Sequence, residues 1–231
     1  MDKYLRKIEI FGDSILRGVQ LNPENKKYVI DNNKDLEKNT KQHEIEIVNC
    51  SKFGCTIGKG KVMLEKSLEK GLVCDAIVME YGGNDCDFNW KDVAENPDKD
   101  HVPNTPLDVF VKTYYEMIDL LKKKGIQPIL TTLPPIDPQR FFDWFCNGLN
   151  KENVLKFLGS INTIYRHQET YSRAVEKIAK DTNCLLVDLR GAFLGKRRVE
   201  NLLCEDGIHP NTEGQKVITQ AFSEFANLAL A

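Results

Sequence analysis

Short apolar runs rich in β-branched residues alternate with longer amphipathic stretches along this chain, and the alternation limits the fold more than any other feature. Five runs have the composition of strands: residues 7–11, 44–48, 76–81, 128–133 and 185–189. Nearly continuous apolar runs are typical of parallel strands that are covered on both faces. Strands that alternate with helices through right-handed crossovers build a doubly wound α/β sheet. The 231 residues therefore predict one α/β domain over residues 1–231.

Three stretches have the periodicity of amphipathic helices: residues 107–121, 161–178 and 217–228. The first has Thr105 as the expected cap and Pro106 in the first helical position. Before the third, Thr212 and Gln215 have the spacing of a capping box. These helices would cover the two faces of the predicted sheet.

The formal net charge is only −2, from 32 basic and 34 acidic side chains. So small a net charge gives no strong field toward polyanions, so we expect neither nucleic acid nor an anionic membrane as a partner. The N-terminus has no apolar stretch of signal-peptide length, and no segment approaches the ~20 apolar residues of a membrane span. We therefore expect a soluble, cytoplasmic protein.

Seven cysteines are scattered along the chain without a Cys-x-x-Cys pair. The spacing indicates neither a zinc site nor a redox motif. Small buried hydrophobic residues in a reducing compartment explain this usage best.

Polar motifs follow several of the predicted strands directly, at residues 12–14, 51–56 and 82–85, and a fourth at 206–209 precedes the last helix. In doubly wound sheets, chemistry gathers beyond the carboxyl ends of the strands. The first three motifs should therefore meet at one edge of the sheet.

Ser14 ends the first strand and is a candidate nucleophile, but a serine needs an adjacent base. Of the four histidines, His209 has an acid, Asp206, three residues before it in a turn-rich loop. A carboxylate at that distance can fix the tautomer of the ring and leave the other nitrogen for the serine. The alternative is that Asp206 and Asn211 only stabilise a turn and a helix cap. His167 falls within a helical pattern, where it would face solvent.

Acyl transfer also needs donors for an oxyanion. The Asn84 amide and the backbone N–H groups of Gly54 and Ser14 are candidates, because each follows a predicted strand. The alternative is that these glycine-rich motifs serve tight turns only.

Together, the four motifs resemble those of the GDSL/SGNH hydrolase superfamily. They read Phe-Gly-Asp-Ser at 11–14, Asn-Cys-Ser-Lys-Phe-Gly at 49–54, Gly-Gly-Asn-Asp at 82–85 and Asp-Gly-Ile-His-Pro at 206–210, in the family's order.

The resemblance implies a three-layer α/β/α, flavodoxin-like fold with five parallel strands. It also implies Ser14 as nucleophile, His209 and Asp206 as the remaining catalytic pair, and Ser14, Gly54 and Asn84 as the oxyanion hole. Neither a metal nor an organic cofactor is expected.

Two insertions, near residues 86–104 and 134–150, lie where substrate should arrive. One hypothesis is that they form a binding wall that includes Arg140, Phe142 and Trp144, with Asp85 beside it. The alternative, which we favour, is that the aromatic residues pack on the core or on a second subunit.

The motifs predict a serine esterase or deacylase for small acyl or acetyl groups, including acetyl groups on carbohydrate. Three alternatives stay open: a lysophospholipase- or thioesterase-type lipid acylhydrolase, a non-catalytic binding module, and a nucleotide-binding domain. The intact motifs argue against the second, and the lack of a glycine-rich phosphate loop argues against the third. The expected partner is a small-molecule ester, and a homodimer is left open.

Overall fold

The computed structural model describes residues 6–30 and 45–229, excluding the side chains of 228 and 229. Five parallel strands form the central sheet in the order β4-β1-β5-β6-β7. The strands of this sheet are β1 (Lys7–Gly12), β4 (Glu46–Asn49), β5 (Ala76–Glu80), β6 (Gln127–Thr131) and β7 (Leu185–Val187). All five predicted strands are confirmed within a few residues, although Glu44 lies outside the described residues.

Helices cover both faces of the sheet, which gives the predicted three layers. The described helices are α1 (Ser14–Arg17), α2 (Ile57–Glu69), α3 (Trp90–Glu95), α4 (Leu107–Lys123), α5 (Pro138–Phe145), α6 (Lys151–Leu158), α7 (Asn162–Thr182), α8 (Leu189–Leu194) and α9 (Thr212–Ala229), with a 3₁₀ turn at Val199–Leu202. One core cluster joins α2, α4 and α7 to the sheet, and a second joins α1, α8 and α9 to the opposite face. Among the described helices, none is long and apolar enough to cross a bilayer.

Two helix caps differ from the sequence prediction. Pro106, not Thr105, precedes the first residue of α4, because Thr105 is committed to Asp85 through its side chain. Asn211 caps α9 by accepting the N–H groups of Glu213 and Gly214, at 3.0 and 3.1 Å. The predicted capping box of Thr212 and Gln215 is therefore wrong.

Two features beside the active-site edge were not predicted. Strands β2 (Val19–Leu21) and β3 (Tyr28–Ile30) form an antiparallel hairpin directly after α1. A third apolar cluster joins α3, α5 and α6 to the start of α7, and it is built largely from the two insertions. The insertions are therefore packed elements with a small core of their own.

Candidate active site

Ser14, His209 and Asp206 form a hydrogen-bonded chain at the carboxyl edge of the sheet. The Oγ of Ser14 lies 2.9 Å from Nε2 of His209, and Nδ1 of His209 lies 2.7 Å from Oδ2 of Asp206. All three side chains are buried. The carboxylate accepts Nδ1–H, which leaves Nε2 unprotonated and able to accept the proton of Ser14.

Ser14 is held at the junction of β1 and α1. Asp13 caps α1 by accepting the N–H of Ile15 at 2.8 Å, which fixes the turn that presents Ser14. Before it, Gly12 lies against Glu80, and a Cβ at Gly12 would lie 3.1 Å from the Glu80 backbone and carboxyl oxygens. The small residue at 12 thus lets β1 and β5 approach closely just before Ser14.

Asp206 and His209 lie in a tight loop that closes through a bridge between Leu203 and Pro210. Oδ1 of Asp206 accepts the backbone N–H groups of Ile208 and His209, each at 3.1 Å. Gly207 between them has φ +74°, and a Cβ there would lie 2.6 Å from the carbonyl oxygen of Asp137. Glycine is therefore required for the loop to pack on α5.

Hydrogen bonds keep Asp206 ionised despite its burial. Burial acts to raise the pKa of Asp206, but the hydrogen bond and charge of His209, with the two backbone N–H groups, hold that pKa below its usual value. Tyr28 also hydrogen-bonds Asp206. Burial, followed by the charge of Asp206, raises the pKa of Tyr28, so its phenol stays protonated and donates. No pattern in the sequence pointed to this role of Tyr28.

A pair of buried carboxyls, Asp13 and Glu80, lies beside Ser14. Oδ2 of Asp13 accepts the amide N–H of Asn84 at 2.9 Å, and Oε2 of Glu80 accepts the N–H of Asp13 at 3.2 Å. Burial and then the charge of Asp13 raise the pKa of Glu80 well above its usual value. Burial also raises the pKa of Asp13, but the hydrogen bonds from the Ile15 N–H and the Asn84 amide act against this. Because the pKa of Glu80 is raised further, Glu80 carries the proton of this pair, and Asp13 is the anion that orients Asn84.

Of the predicted oxyanion donors besides Ser14, Asn84 is already engaged by Asp13, and Gly54 does not line the cavity at Ser14. Asn84 lines the same cavity as Ser14, and its amide also contacts the Cys55 carbonyl at 3.4 Å. Gly54, with φ +66°, lies between Phe53, whose ring stacks on His209 at 6.0 Å, and Cys55. The loop is held beside β1 by the bond from the Lys52 N–H to the Gly12 carbonyl, 3.0 Å long.

The four predicted substrate-binding residues do not line the cavity at Ser14. Asp85 is fully buried and accepts the N–H of Ile57 at 3.0 Å, so it braces the loop. Arg140 donates to the Glu200 carbonyl at 2.8 Å. Phe142 belongs to the third apolar cluster, and Trp144 hydrogen-bonds Tyr28. The packing alternative is therefore correct for Phe142, while Trp144 supports the Tyr28 side chain.

A cavity of about 280 Å³ begins at Ser14 and His209 and extends between the two insertions. Phe88 and Phe141, one from each insertion, line it. His167 lines it as well, so the prediction that this histidine faces solvent is wrong. Among the described residues, no group of three or more His, Cys, Asp or Glu side chains is arranged to hold a metal ion.

The buried acids of this region predict that stability falls as pH rises. Burial raises the pKa of Asp87 to about 6, although its side chain accepts the Trp90 indole N–H at 2.6 Å. An unfolded aspartate titrates near about 3.9. Between about pH 4 and pH 6 the folded chain therefore binds more protons than the unfolded chain, and its free energy of unfolding decreases with pH. Asp85, whose pKa burial also raises to about 6, acts in the same direction.

Asp87→Asn removes this titration, so the variant should not lose the stability that the unmodified protein loses as pH rises. We expect the free energy of unfolding of the variant minus that of the unmodified protein to be about 1–2 kcal/mol larger at pH 7.5 than at pH 4.5. The asparagine oxygen can still accept the Trp90 N–H. Urea denaturation at both pH values measures the change. Asp92→Asn is the matched control, because the Lys99 hydrogen bond lowers the pKa of exposed Asp92 and its contribution titrates below this window. An Asp87→Asn difference that is equal at the two pH values would contradict the assignment.

The sequence that carries this site matches the model of a known protein family. The model of the GDSL-like Lipase/Acylhydrolase family matches residues 10–217. Comparison with curated protein sequences gives no match.

Solved structures share the whole fold at low sequence identity. A lipase/acylhydrolase from Enterococcus faecalis superposes with a TM-score of 0.68 at 19% identity, covering 97% of each chain. A catalytic mutant of an acetylxylan esterase from Geobacillus stearothermophilus has a TM-score of 0.68 at 20% identity, covering 98% of this chain and 96% of that one. A putative acylhydrolase from Bacteroides fragilis has a TM-score of 0.66 at 18% identity, covering 100% and 90%.

Proposed function

Because the chain belongs to the GDSL-like lipase/acylhydrolase family, we propose that it cleaves carboxylic esters through an acyl-enzyme on Ser14. Family membership makes it a hydrolase that acts on ester bonds; the residue roles and the substrate are our proposal. The observation that carries the proposal is the 2.9 Å contact between the Ser14 hydroxyl and Nε2 of His209, whose Nδ1 is held by Asp206.

In the proposed first half-reaction, Oγ of Ser14 attacks the ester carbonyl carbon while Nε2 of His209 takes the hydroxyl proton. The tetrahedral oxyanion collapses, the bond to the alcohol oxygen breaks, and His209 returns the proton to that oxygen. Water then attacks the acyl-enzyme with His209 again as base, which releases the acid and regenerates Ser14. Asp206 stays ionised throughout and stabilises the imidazolium.

The oxyanion would be held by the backbone N–H groups of Ser14 and Gly54 and by the Asn84 amide. Asn84 keeps its 2.9 Å bond to Asp13, which fixes the plane of the amide. Its second N–H is directed at the Cys55 carbonyl, a longer contact of 3.4 Å that the oxyanion can replace. Removing one such donor typically costs about 3–4 kcal/mol of transition-state stabilisation.

Deacetylation of carbohydrate is a second candidate, favoured by the aromatic rings around His209. Tyr28 and Phe53 lie with ring centroids 5.0 and 6.0 Å from that of His209, and both are exposed. Exposed rings beside the base suit a sugar face or another planar leaving group.

Fluorophosphonate labelling tests the serine mechanism directly. The reagent phosphonylates only a serine that its own active site activates, so we expect one adduct per chain, mapped by peptide mass spectrometry to Ser14. Labelling should disappear in Ser14→Ala. An adduct on another serine, or none on the active protein, would overturn the proposal.

A further inference from the structure

The cavity beside Ser14 becomes apolar away from the catalytic residues. The polar groups that line it near Ser14 are Asp13, Glu80 and Asn84. Its far end lies between the first insertion and the helices α6 and α7, and its lining is mainly aromatic and aliphatic: Phe88, Leu133, Phe157, Leu158 and Ile164. We call this far end the apolar chamber.

The rings of the chamber pack on one another and are not part of the aromatic rings around His209. Phe88 and Phe157 have ring centroids 5.5 Å apart, and Phe88 lies 5.1 Å from His167. Leu133, Leu158 and Ile164 are buried. The chamber is thus a walled space whose apolar lining favours an apolar occupant.

His209 determines which half of the ester lies on which side. Because His209 returns a proton to the departing alcohol, the alcohol lies beside it, where Tyr28 and Phe53 flank the ring. The acyl group is the other half of the substrate, and the chamber is the space that the described residues provide for it.

The size of the cavity exceeds the needs of an acetyl group. An apolar protein cavity of about 150 Å³ holds benzene, which has six carbon atoms. The cavity at Ser14, of about 280 Å³, is nearly twice that size. An acetyl group would leave most of this space unfilled.

We infer that the apolar chamber is the acyl site, and that it takes an aliphatic acyl chain of about six to ten carbons. The inference rests on the proposed serine mechanism and names the substrate class as medium-chain carboxylic esters. This acyl chain is longer than the small acyl group that the sequence alone led us to expect.

Three other polar side chains that line the cavity, Asp87, Thr163 and Gln168, have hydrogen-bond partners within the chain, whereas His167 has an unpaired ring nitrogen. Its Nε2 is buried and has no hydrogen-bond partner among the described residues. Burial lowers the pKa of His167, against the effect of its hydrogen bond to the Cys86 backbone, so the ring is neutral and adds no charge. An aliphatic chain that enters the chamber must cover this unpaired nitrogen, so His167 limits the affinity of the chamber.

A series of 4-nitrophenyl esters from acetyl to dodecanoyl tests the inference through kcat/KM. In the unmodified protein we expect values for hexanoyl to decanoyl esters about tenfold or more above acetyl. Leu158→Trp fills the chamber and should remove that preference, because kcat/KM for the hexanoyl to decanoyl esters falls about tenfold or more. Leu155→Trp, an exposed position on the same helix, is the matched control and should leave the preference unchanged.

His167→Phe changes the chamber in the opposite sense. It keeps a ring of similar size and removes the unpaired nitrogen, so we expect the octanoyl-to-acetyl ratio to increase about threefold or more. Melting temperatures exclude misfolding as the cause of either change.

Different results would overturn the serine mechanism and the assignment of the acyl chamber. Hydrolysis that survives Ser14→Ala would overturn the serine mechanism. Hydrolysis that depends on Ser14 but prefers acetyl, or a chain-length profile that neither Leu158→Trp nor His167→Phe changes, would overturn the acyl chamber alone.

Discussion

Ser14→Ala is expected to lower kcat for ester hydrolysis by about a millionfold, close to the limit of detection. The side chain of Ser14 is buried and its hydroxyl lies against the unprotonated nitrogen of His209. Without this hydroxyl no acyl-enzyme forms, and His209 has no proton to remove. The residual rate would come from the oxyanion donors and substrate binding alone. Steady-state kinetics on an activated ester, with enzyme purified free of contaminating esterase, measures the loss.

Ser51→Ala is the matched control for this experiment. Ser51 is also a buried serine of the active-site edge, and its hydroxyl has no hydrogen-bond partner among the described residues. Its removal should leave kcat within about twofold and the free energy of unfolding unchanged or slightly higher. A Ser14→Ala protein that is folded and keeps more than about 1% of the activity would exclude covalent catalysis by Ser14.

The sheet and the candidate catalytic residues could be predicted from sequence because both depend on local patterns. The apolar run of β5 is buried at every position, and such a run is continuous in the sequence. Three of the four motifs follow predicted strands, so the rule that parallel strands present their carboxyl ends at one edge predicted that these three meet. The fourth motif precedes the last helix, and the resemblance to the GDSL/SGNH superfamily is what brought its His209 to Ser14. The 195 residues between them did not matter for that argument.

The surroundings of the site were not predictable, because they depend on contacts between distant segments that periodicity does not encode. Tyr28 lies on a strand of only three residues, too short for a clear alternation, and nothing in its neighbourhood in sequence points to Asp206. His167 lies on α7, which has one buried and one exposed face. The sequence does not show that the first insertion packs over the segment of α7 that contains His167. The aromatic residues of the second insertion indicated packing, which holds for Phe142, but nothing in the sequence showed that the folded insertions would border a chamber.

The second large effect is expected for Asp206→Asn, which should lower kcat by about 10⁴ while leaving the fold intact. The reason lies in the two oxygens of Asp206. Oδ1 accepts two backbone N–H groups, so in the variant the amide oxygen must stay there and the NH₂ group must face Nδ1 of His209. An NH₂ group donates, so Nδ1 becomes the acceptor and the ring proton moves to Nε2. In that tautomer Nε2 cannot take the proton of Ser14.

Fluorophosphonate labelling should slow in parallel with kcat, because both reactions need the same proton transfer. Asp188→Asn provides the matched control: Asp188 caps α8 by accepting the Gly191 N–H at 2.9 Å, and asparagine caps a helix as well as aspartate does. Near-normal activity in Asp206→Asn would mean that His209 does not need its tautomer fixed from this side. A loss confined to KM would mean that Asp206 acts on substrate binding instead. Either outcome would show that the Asp206 carboxylate does not activate Ser14 through His209, and the proposed mechanism depends on that activation.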